Sequence, residues 1–254
     1  MIHVCFGLHD ATGRYSKFTG TTILSIFENT RSDVTVHILH DNTLTADNRD
    51  KFIYLAGKYS QTVKFYNVEE LCPDKLEAFK KLMPVLKNTR QSVGTMYRLL
   101  IPQVLPQDIS KIIYLDSDII VNLDIKELWQ IELGNKILSA APEAVINCLD
   151  HDFHSKKKFL IANGFVASED YFNAGVLLIN LDSLRNAEDV IMRGVKWYGE
   201  HLQCDCFDQD ILNYLFSKNY LKLPEYFDVF VGIERRRGMN KIRRAIYHYG
   251  GSPF

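Results

Sequence analysis

From Val4 to Tyr66 the chain alternates between two hydrophobic periods, and that alternation admits few folds. Val4 to Leu8 is a short apolar run, followed by the turn-like His9-Asp10-Ala11-Thr12-Gly13. From Phe18 to Phe27 apolar residues recur at helical spacing, with Phe18, Ile23, Ile26 and Phe27 suited to one broad face. Val34 to Leu39 reads as a strand, Thr45 to Lys58 as a helix, and the β-branched and aromatic Thr62 to Tyr66 as another strand. This succession predicts an α/β fold with a Rossmann-like, mostly parallel central sheet and helices on both faces.

Farther along, a helix is expected around Thr95 to Val104 and strands at Ile112 to Leu115, Ile137 to Ala141 and Val176 to Leu181, with helices over 184–199 and 208–217. No repeat, low-complexity tract or linker interrupts the pattern, so residues 1–254 are read as one domain, long enough to bury a real core. Lys plus Arg (30) nearly balance Asp plus Glu (31), which gives no reason to expect a nucleic-acid partner. Ile2 to Leu8 carries no basic n-region or cleavage site, and no apolar run approaches the roughly 20 residues of a membrane helix. Cys5, Cys72, Cys148, Cys204 and Cys206 are scattered without zinc-ligand spacing and are read as reduced, in a cytoplasmic protein.

The chemistry concentrates where an apolar strand ends in acids. Lys111-Ile-Ile-Tyr-Leu runs directly into Asp116-Ser117-Asp118. Ligands of open α/β sheets bind outside the carboxyl ends of the strands, near the point where strand order reverses. Two carboxylates two residues apart on a chain leaving a strand can turn toward one divalent ion, and oxygen ligands suit Mg²⁺ or Mn²⁺ sharing phosphate oxygens. An Asp-x-Asp alone is commonly a solvated turn or cap; the strand ahead of it gives this one weight.

Four blocks occur in order: Tyr114-Leu-Asp-Ser-Asp118, Tyr171-Phe-Asn-Ala-Gly-Val-Leu-Leu-Ile-Asn-Leu181, Asp208-Gln-Asp-Ile-Leu-Asn213 and His248-Tyr-Gly-Gly251. Together they resemble glycosyltransferase family 8, a retaining family that includes bacterial lipooligosaccharide galactosyltransferases and, more distantly, glycogenin. The resemblance runs from the first strand to the last residue. It implies a GT-A type fold, a UDP-sugar donor carrying glucose or galactose, a glycan or glycoconjugate acceptor, and Mn²⁺, with Mg²⁺ as the other candidate. Carried over by position, Asp116, Asp118 and His248 match the metal ligands. Gly7, His9 and Asp10 stand where uridine and ribose are contacted, although the usual two acids followed by Asn-Tyr are replaced by His9-Asp10-Ala11-Thr12-Gly13-Arg14-Tyr15. Donor contacts are further expected from Arg98, Ser117, Glu143, Asn173, Ala174 and Gly251. Asp208 and Gln209 match the pair that points at the transferred sugar, and are expected to be the catalytic residues. Asn173-Ala-Gly175 is read as lying just ahead of its strand.

The resemblance also has gaps. Family members commonly continue past His-x-x-Gly to Lys-Pro-Trp, whose lysine meets the diphosphate; here the sequence reads Gly250-Gly-Ser-Pro-Phe254, so a C-terminal tail is read as absent. Association with the inner face of the membrane and the oligomeric state therefore stay open. Arg235-Arg-Arg237 with Lys241, Arg243 and Arg244 is read as a solvated basic face or a substitute anion contact. A catalytically weak UDP-sugar-binding protein is the alternative reading. A haloacid-dehalogenase-type phosphatase fits less well, since Ile120 stands where that family wants Thr or Val and the motif lies mid-sequence.

Overall fold

Val34–His40 is buried along nearly its whole length, as expected of a strand covered on both faces, and the sheet is built outward from it and its neighbours. In this computed structural model residues 1–82, 93–144, 162, 170–201, 206–238 and 243–250 are described. Their strands are β1 (Ile2–Leu8), β2 (Val34–His40), β3 (Thr62–Asn67), β4 (Lys111–Leu115), β5 (Ile119–Asn122), β6 (Leu138–Pro142), β7 (Phe172–Asn180), β8 (Leu221–Lys222), β9 (Val229–Phe230) and β10 (Ala245–His248). Seven form one sheet in the order β3-β2-β1-β4-β7-β6-β8, and β5, β10 and β9 form a second. In the large sheet only β7 runs against its neighbours, pairing antiparallel with both β4 and β6.

Alternation along each strand sends side chains into two cores. Val4, Phe6 and Leu8 of β1 pack with Ile23, Ile26 and Phe27 of helix Tyr15–Asn29 and with Phe52 and Ala56 of helix Ala46–Lys58. The opposite face, with Cys5, Tyr114 and Leu177, packs against Phe79 of helix Pro73–Leu82, Val195 of helix Glu188–Glu200 and Ile211 of helix Phe207–Phe216. Helices therefore cover both faces of a mostly parallel sheet, as the alternation predicts. No helix among the described residues is long and apolar enough to cross a membrane. Cys5 is a buried free thiol and Cys72 is buried as well, while Cys148 and Cys204 lie outside the described residues.

Three expected elements differ. The helix around Thr95 to Val104 is a 3₁₀ segment, Val93–Leu100, followed by the short α-turn Ile101–Val104. Pro102 lacks the N–H that a continuous helix would use at that point, so a new turn starts there. The helix over 184–199 is two, Leu181–Arg185 and Glu188–Glu200. Arg185 ends the first by donating to the carbonyls of Pro102 (3.2 Å), Pro106 (2.8 Å) and Ile109 (2.9 Å). Finally, Asn173-Ala-Gly175 is not ahead of the strand but inside β7, which pairs with β6 as early as Phe172.

Helix Phe207–Phe216 is tied to the start of β7 by one side chain. Asn213 accepts from Phe172 N (2.8 Å) and donates to Phe172 O (2.8 Å), closing both backbone groups where β7 begins. Asn213→Ala strands these two buried groups, at a cost of about 1–3 kcal/mol for each. Urea denaturation is expected to show a lower midpoint with an unchanged slope.

Candidate active site

The strand order reverses between β1 and β4, because the chain leaves β1 for β2 and β3 on one side and returns to β4 on the other. The carboxyl ends of these two strands flank the crevice where such sheets bind ligands. Asp116 and Asp118 follow β4 there, and His9 and Asp10 follow β1. The loop carrying the acids is anchored from below by helix Tyr15–Asn29: the Thr22 hydroxyl donates to Ser117 O (2.9 Å) and Ile119 O (2.7 Å), and Thr19 pairs with the Ser117 hydroxyl (2.8 Å). Ser117 thus faces the helix, and the flanking carboxylates face the crevice.

His248 reaches the same point from the other end of the chain. In the small sheet β10 pairs antiparallel with β5 so that His248 lies opposite Ile119, and Tyr249 N continues the ladder to Asp118 O (2.9 Å). This register sets the imidazole beside the acids: Nε2 is 3.5 Å from Asp118 Oδ1 and 4.0 Å from Asp116 Oδ2. One ligand atom from each of the three residues lies within 4.8 Å of the others. On its other side Nδ1 meets Asp228 Oδ1 at 2.9 Å. Burial disfavours charge on His248, but Asp228 and Asp118 together push its pKa well above the ordinary imidazole value. Burial likewise disfavours charge on Asp118, yet the hydrogen bond to His248 holds its carboxyl below the usual range.

The cradle is made by what Gly175 lacks. A Cβ there would strike His248 Cε1 and come within 2.9 Å of Asn173 Oδ1 and 3.0 Å of Asp116 Oδ2. Because β7 is antiparallel, its early residues lie beside the carboxyl end of β4, and Asp116 N donates to Gly175 O at 2.8 Å. Two carboxylates and an imidazole converging over a strand with no side chain form an N/O donor set that fits a hard divalent cation such as Mn²⁺ or Mg²⁺.

Arg98 joins the remaining parts. Its guanidinium is buried, pairs with Asp116 Oδ1 (2.6 Å) and Asp208 Oδ2 (2.7 Å), donates to Ala174 O, and lies 4.3 Å over the Tyr114 ring. Burial opposes its charge, while Asp116 and Asp208 raise its pKa above the ordinary value. For Asp208 burial dominates and pushes the carboxyl up to about 6, against the pull of Arg98. Gln209 is fixed at both ends: Oε1 accepts from Ala174 N (2.9 Å), and Nε2 donates to Glu143 Oε2 (2.9 Å) and Tyr171 OH (3.3 Å). Asn173 Nδ2 donates to the same Glu143 oxygen (2.7 Å). Arg98, Asp116, Glu143, Asn173, Ala174, Asp208 and Gln209 therefore form one connected network.

The β1 end is less open to a ligand than the sequence suggests. A Cβ on Gly7 would meet Gly94 O at 2.9 Å, so the bare backbone there accommodates the Val93–Leu100 segment. Both carboxylate oxygens of Asp10 serve the fold: Oδ1 accepts from Tyr15 N (2.9 Å), and Oδ2 accepts from Asn48 Nδ2 (3.1 Å) and the Ser16 hydroxyl. His9 is partly exposed, with Nδ1 held by Asp41 Oδ2 at 2.5 Å. Gly251 and Lys241 lie outside the described residues. Of the basic cluster, Arg237 and Arg243 both pair with Glu234, and Arg244 pairs with Glu127. Sequence reasoning passed over Asp41 and Asp228, and gave Tyr171 no role beyond opening its motif block. Asp41 carried a usable signal, an acid directly after a strand like Asp116, whereas nothing around Asp228 distinguishes it before folding.

Comparison with known proteins bears on the family and the fold. A putative glycosyltransferase of Haemophilus influenzae is 30% identical over 200 residues, covering 78% of this chain and 55% of that protein. The lipopolysaccharide 1,3-galactosyltransferase of Salmonella typhimurium is 25% identical over 199 residues, covering 76% of this chain and 54% of that protein. The chain thus spans about half the length of these two curated relatives. Galactosyltransferase LgtC, solved in complex with donor and acceptor sugar analogs, matches with a TM-score of 0.74 at 23% identity, over 98% of this chain and 87% of that one. That likeness identifies the fold as GT-A-like. The model of the family described as Glycosyl transferase family 8 matches residues 8–253, a stretch that contains Asp116, Asp118, Asp208, Gln209 and His248. From the end of its first strand to the far side of its acid–histidine cluster, the chain belongs to glycosyl transferase family 8.

Proposed function

We propose that this chain is a retaining, metal-dependent hexosyltransferase that moves glucose or galactose from a UDP-sugar to a glycan or glycoconjugate. The observation that carries the reading is the convergence of Asp116, Asp118 and His248 Nε2 at the switch point of the sheet. Asp116, Asp118 and His248 would hold the cation, Mn²⁺ by preference. Bound there, a divalent ion supplies Lewis-acid neutralisation of a leaving diphosphate.

The rest follows from the chain's own residues. Arg98 holds Asp116 in place and keeps Asp208 beside it. Asp208, Asn173 and Glu143 are polar groups suited to orienting sugar hydroxyls. Gln209 is a neutral amide whose carbonyl already accepts from Ala174 N, which makes it a poor nucleophile. Retention through a covalent intermediate needs a carboxylate on the nucleophile face. A front-face path, with the acceptor attacking on the leaving-group side, is therefore the reading the network favours. His9, held by Asp41 beside the carboxyl end of β1, is assigned to the nucleoside end of the donor.

UDP release measured across a panel of UDP-sugars is expected to occur with one of them in Mn²⁺ and to stop with a chelator. Asp118→Asn is expected to lower that release by more than about 100-fold, beyond the roughly 10–100-fold cost of losing an outer partner of a metal ligand. Near-normal turnover by this variant would sink the metal assignment, and UDP-sugar binding without any release would favour the binding-protein alternative.

Gly175→Ala is expected to displace His248 without unfolding the chain. A shift of about 1 Å at a reacting centre costs roughly 100-fold in rate. Release should fall on that scale while the far-ultraviolet circular dichroism spectrum stays as in the wild type.

A further inference from the structure

Among the described residues, three other buried aspartates have both oxygens engaged, and a fourth, Asp208, meets the Arg98 guanidinium through Oδ2. Asp10 is occupied by Tyr15 N, Ser16 and Asn48; Asp41 by Thr43, His9 and Tyr97; Asp210 by Tyr171 and Cys206 N. These carboxylates cap turns and helices, and their burial is offset by hydrogen bonds on both sides. Asp228 is different. It is 4% exposed, its Oδ1 meets His248 Nδ1 at 2.9 Å, and its Oδ2 has no hydrogen-bond partner among the described residues. A carboxylate buried with one oxygen unsatisfied is a net cost to folding. Among the described residues, the bond to His248 is the one contact that repays it.

The position of Asp228 follows from the small sheet. It directly precedes β9, whose Phe230 lies opposite His248 in the parallel β9–β10 ladder. The Phe230 ring packs against the imidazole with centroids 4.5 Å apart. The imidazole is therefore gripped on one face by Phe230, at Nδ1 by Asp228, and at Cε1 by the bare backbone of Gly175. With Nδ1 turned to the Asp228 carboxyl, Nε2 is the nitrogen left facing Asp116 and Asp118.

We infer that Asp228 is a positioning residue for the metal centre: its carboxylate accepts the Nδ1 proton of His248, fixing the ring so that Nε2 serves as the ligand. The inference rests on the proposed metal site. Histidine ligands are typically oriented in this way by an outer carboxylate or carbonyl, which also makes the ligating nitrogen more basic. Asp228 does not reach the reacting atoms and acts through His248.

Two readouts test this on the intact chain with Mn²⁺ alone as the probe. Mn²⁺ affinity is measured by electron paramagnetic resonance for the wild type, Asp228→Ala and Asp228→Asn. The low-field Nδ1–H proton resonance of His248, assigned by its loss in His248→Gln, is followed in the same proteins without metal. Asp228→Ala is expected to weaken Mn²⁺ binding by about 10–100-fold and to abolish the resonance. Asp228→Asn, whose amide can turn its NH2 to Nδ1 and shift the ring proton to Nε2, should lose the resonance and weaken Mn²⁺ binding on the same scale. If Asp228→Ala fails to fold, the Asn variant decides: an unchanged resonance and unchanged Mn²⁺ affinity there, with a wild-type circular dichroism spectrum, count against the inference. Unchanged Mn²⁺ affinity in a folded Asp228→Ala overturns it. A wild type that binds no Mn²⁺ instead counts against the metal site, and the resonance then still reports whether Asp228 holds Nδ1.

Discussion

The buried guanidinium of Arg98 is the contact on which the site depends. Asp116 and Asp208 come from distant parts of the chain and would repel each other across a poorly solvated space. Arg98 separates and neutralises them, at 2.6 and 2.7 Å, while also bonding Ala174 O and lying over Tyr114. A flat, permanently charged fork with several donors can satisfy all of these at once, which a lysine could not. Breaking a buried charge network of this type by removing one member leaves uncompensated charge, a cost of about 3–5 kcal/mol. The 3₁₀ segment Val93–Leu100 that carries Arg98 is packed so closely on β1 that Gly94 O takes the space of a side chain at Gly7.

The reversed strand β7 is the second constraint. An all-parallel sheet would point the amino end of β7 away from the crevice. Running antiparallel, β7 delivers Asn173, Ala174 and Gly175 to the carboxyl end of β4, where they meet Arg98, Gln209 and His248. Asn213 and Gln209, one helical turn apart, fasten helix Phe207–Phe216 to the same stretch of strand. The catalytic candidates are thus held on regular elements and cross-linked by hydrogen bonds, an arrangement suited to preorganised electrostatics.

The third part is the small sheet. It gives the acid loop a rigid exit along β5 and returns the chain at β10 in a register that sets His248 opposite Ile119. Asp118 is accordingly flanked by backbone pairing on one side and by the imidazole on the other. The β1 end of the crevice is organised differently. Asp10 serves helix Tyr15–Asn29, and the partly exposed polar group left at the end of β1 is His9 on its Asp41 support.

Local pattern determined much of this protein. The two periods between Val4 and Tyr66 specify alternating strands and helices, because side chains at those spacings can be buried only in those conformations. The apolar run into Asp116 and Asp118, and the order of the four motif blocks, identify the family and mark most residues of the network. What the sequence did not determine were relations between distant segments. The reversal of β7, the cradle at Gly175, the engagement of Gly7 and Asp10 by the fold, and the Asp228–His248 bond depend on strand direction and register. Those are fixed by tertiary packing, and no local spacing encodes them. Asp228 is the clearest case: along the chain it is one acid between Phe227 and Val229, and only the β9–β10 pairing, by placing a buried imidazole 2.9 Å away, gives that carboxylate a role.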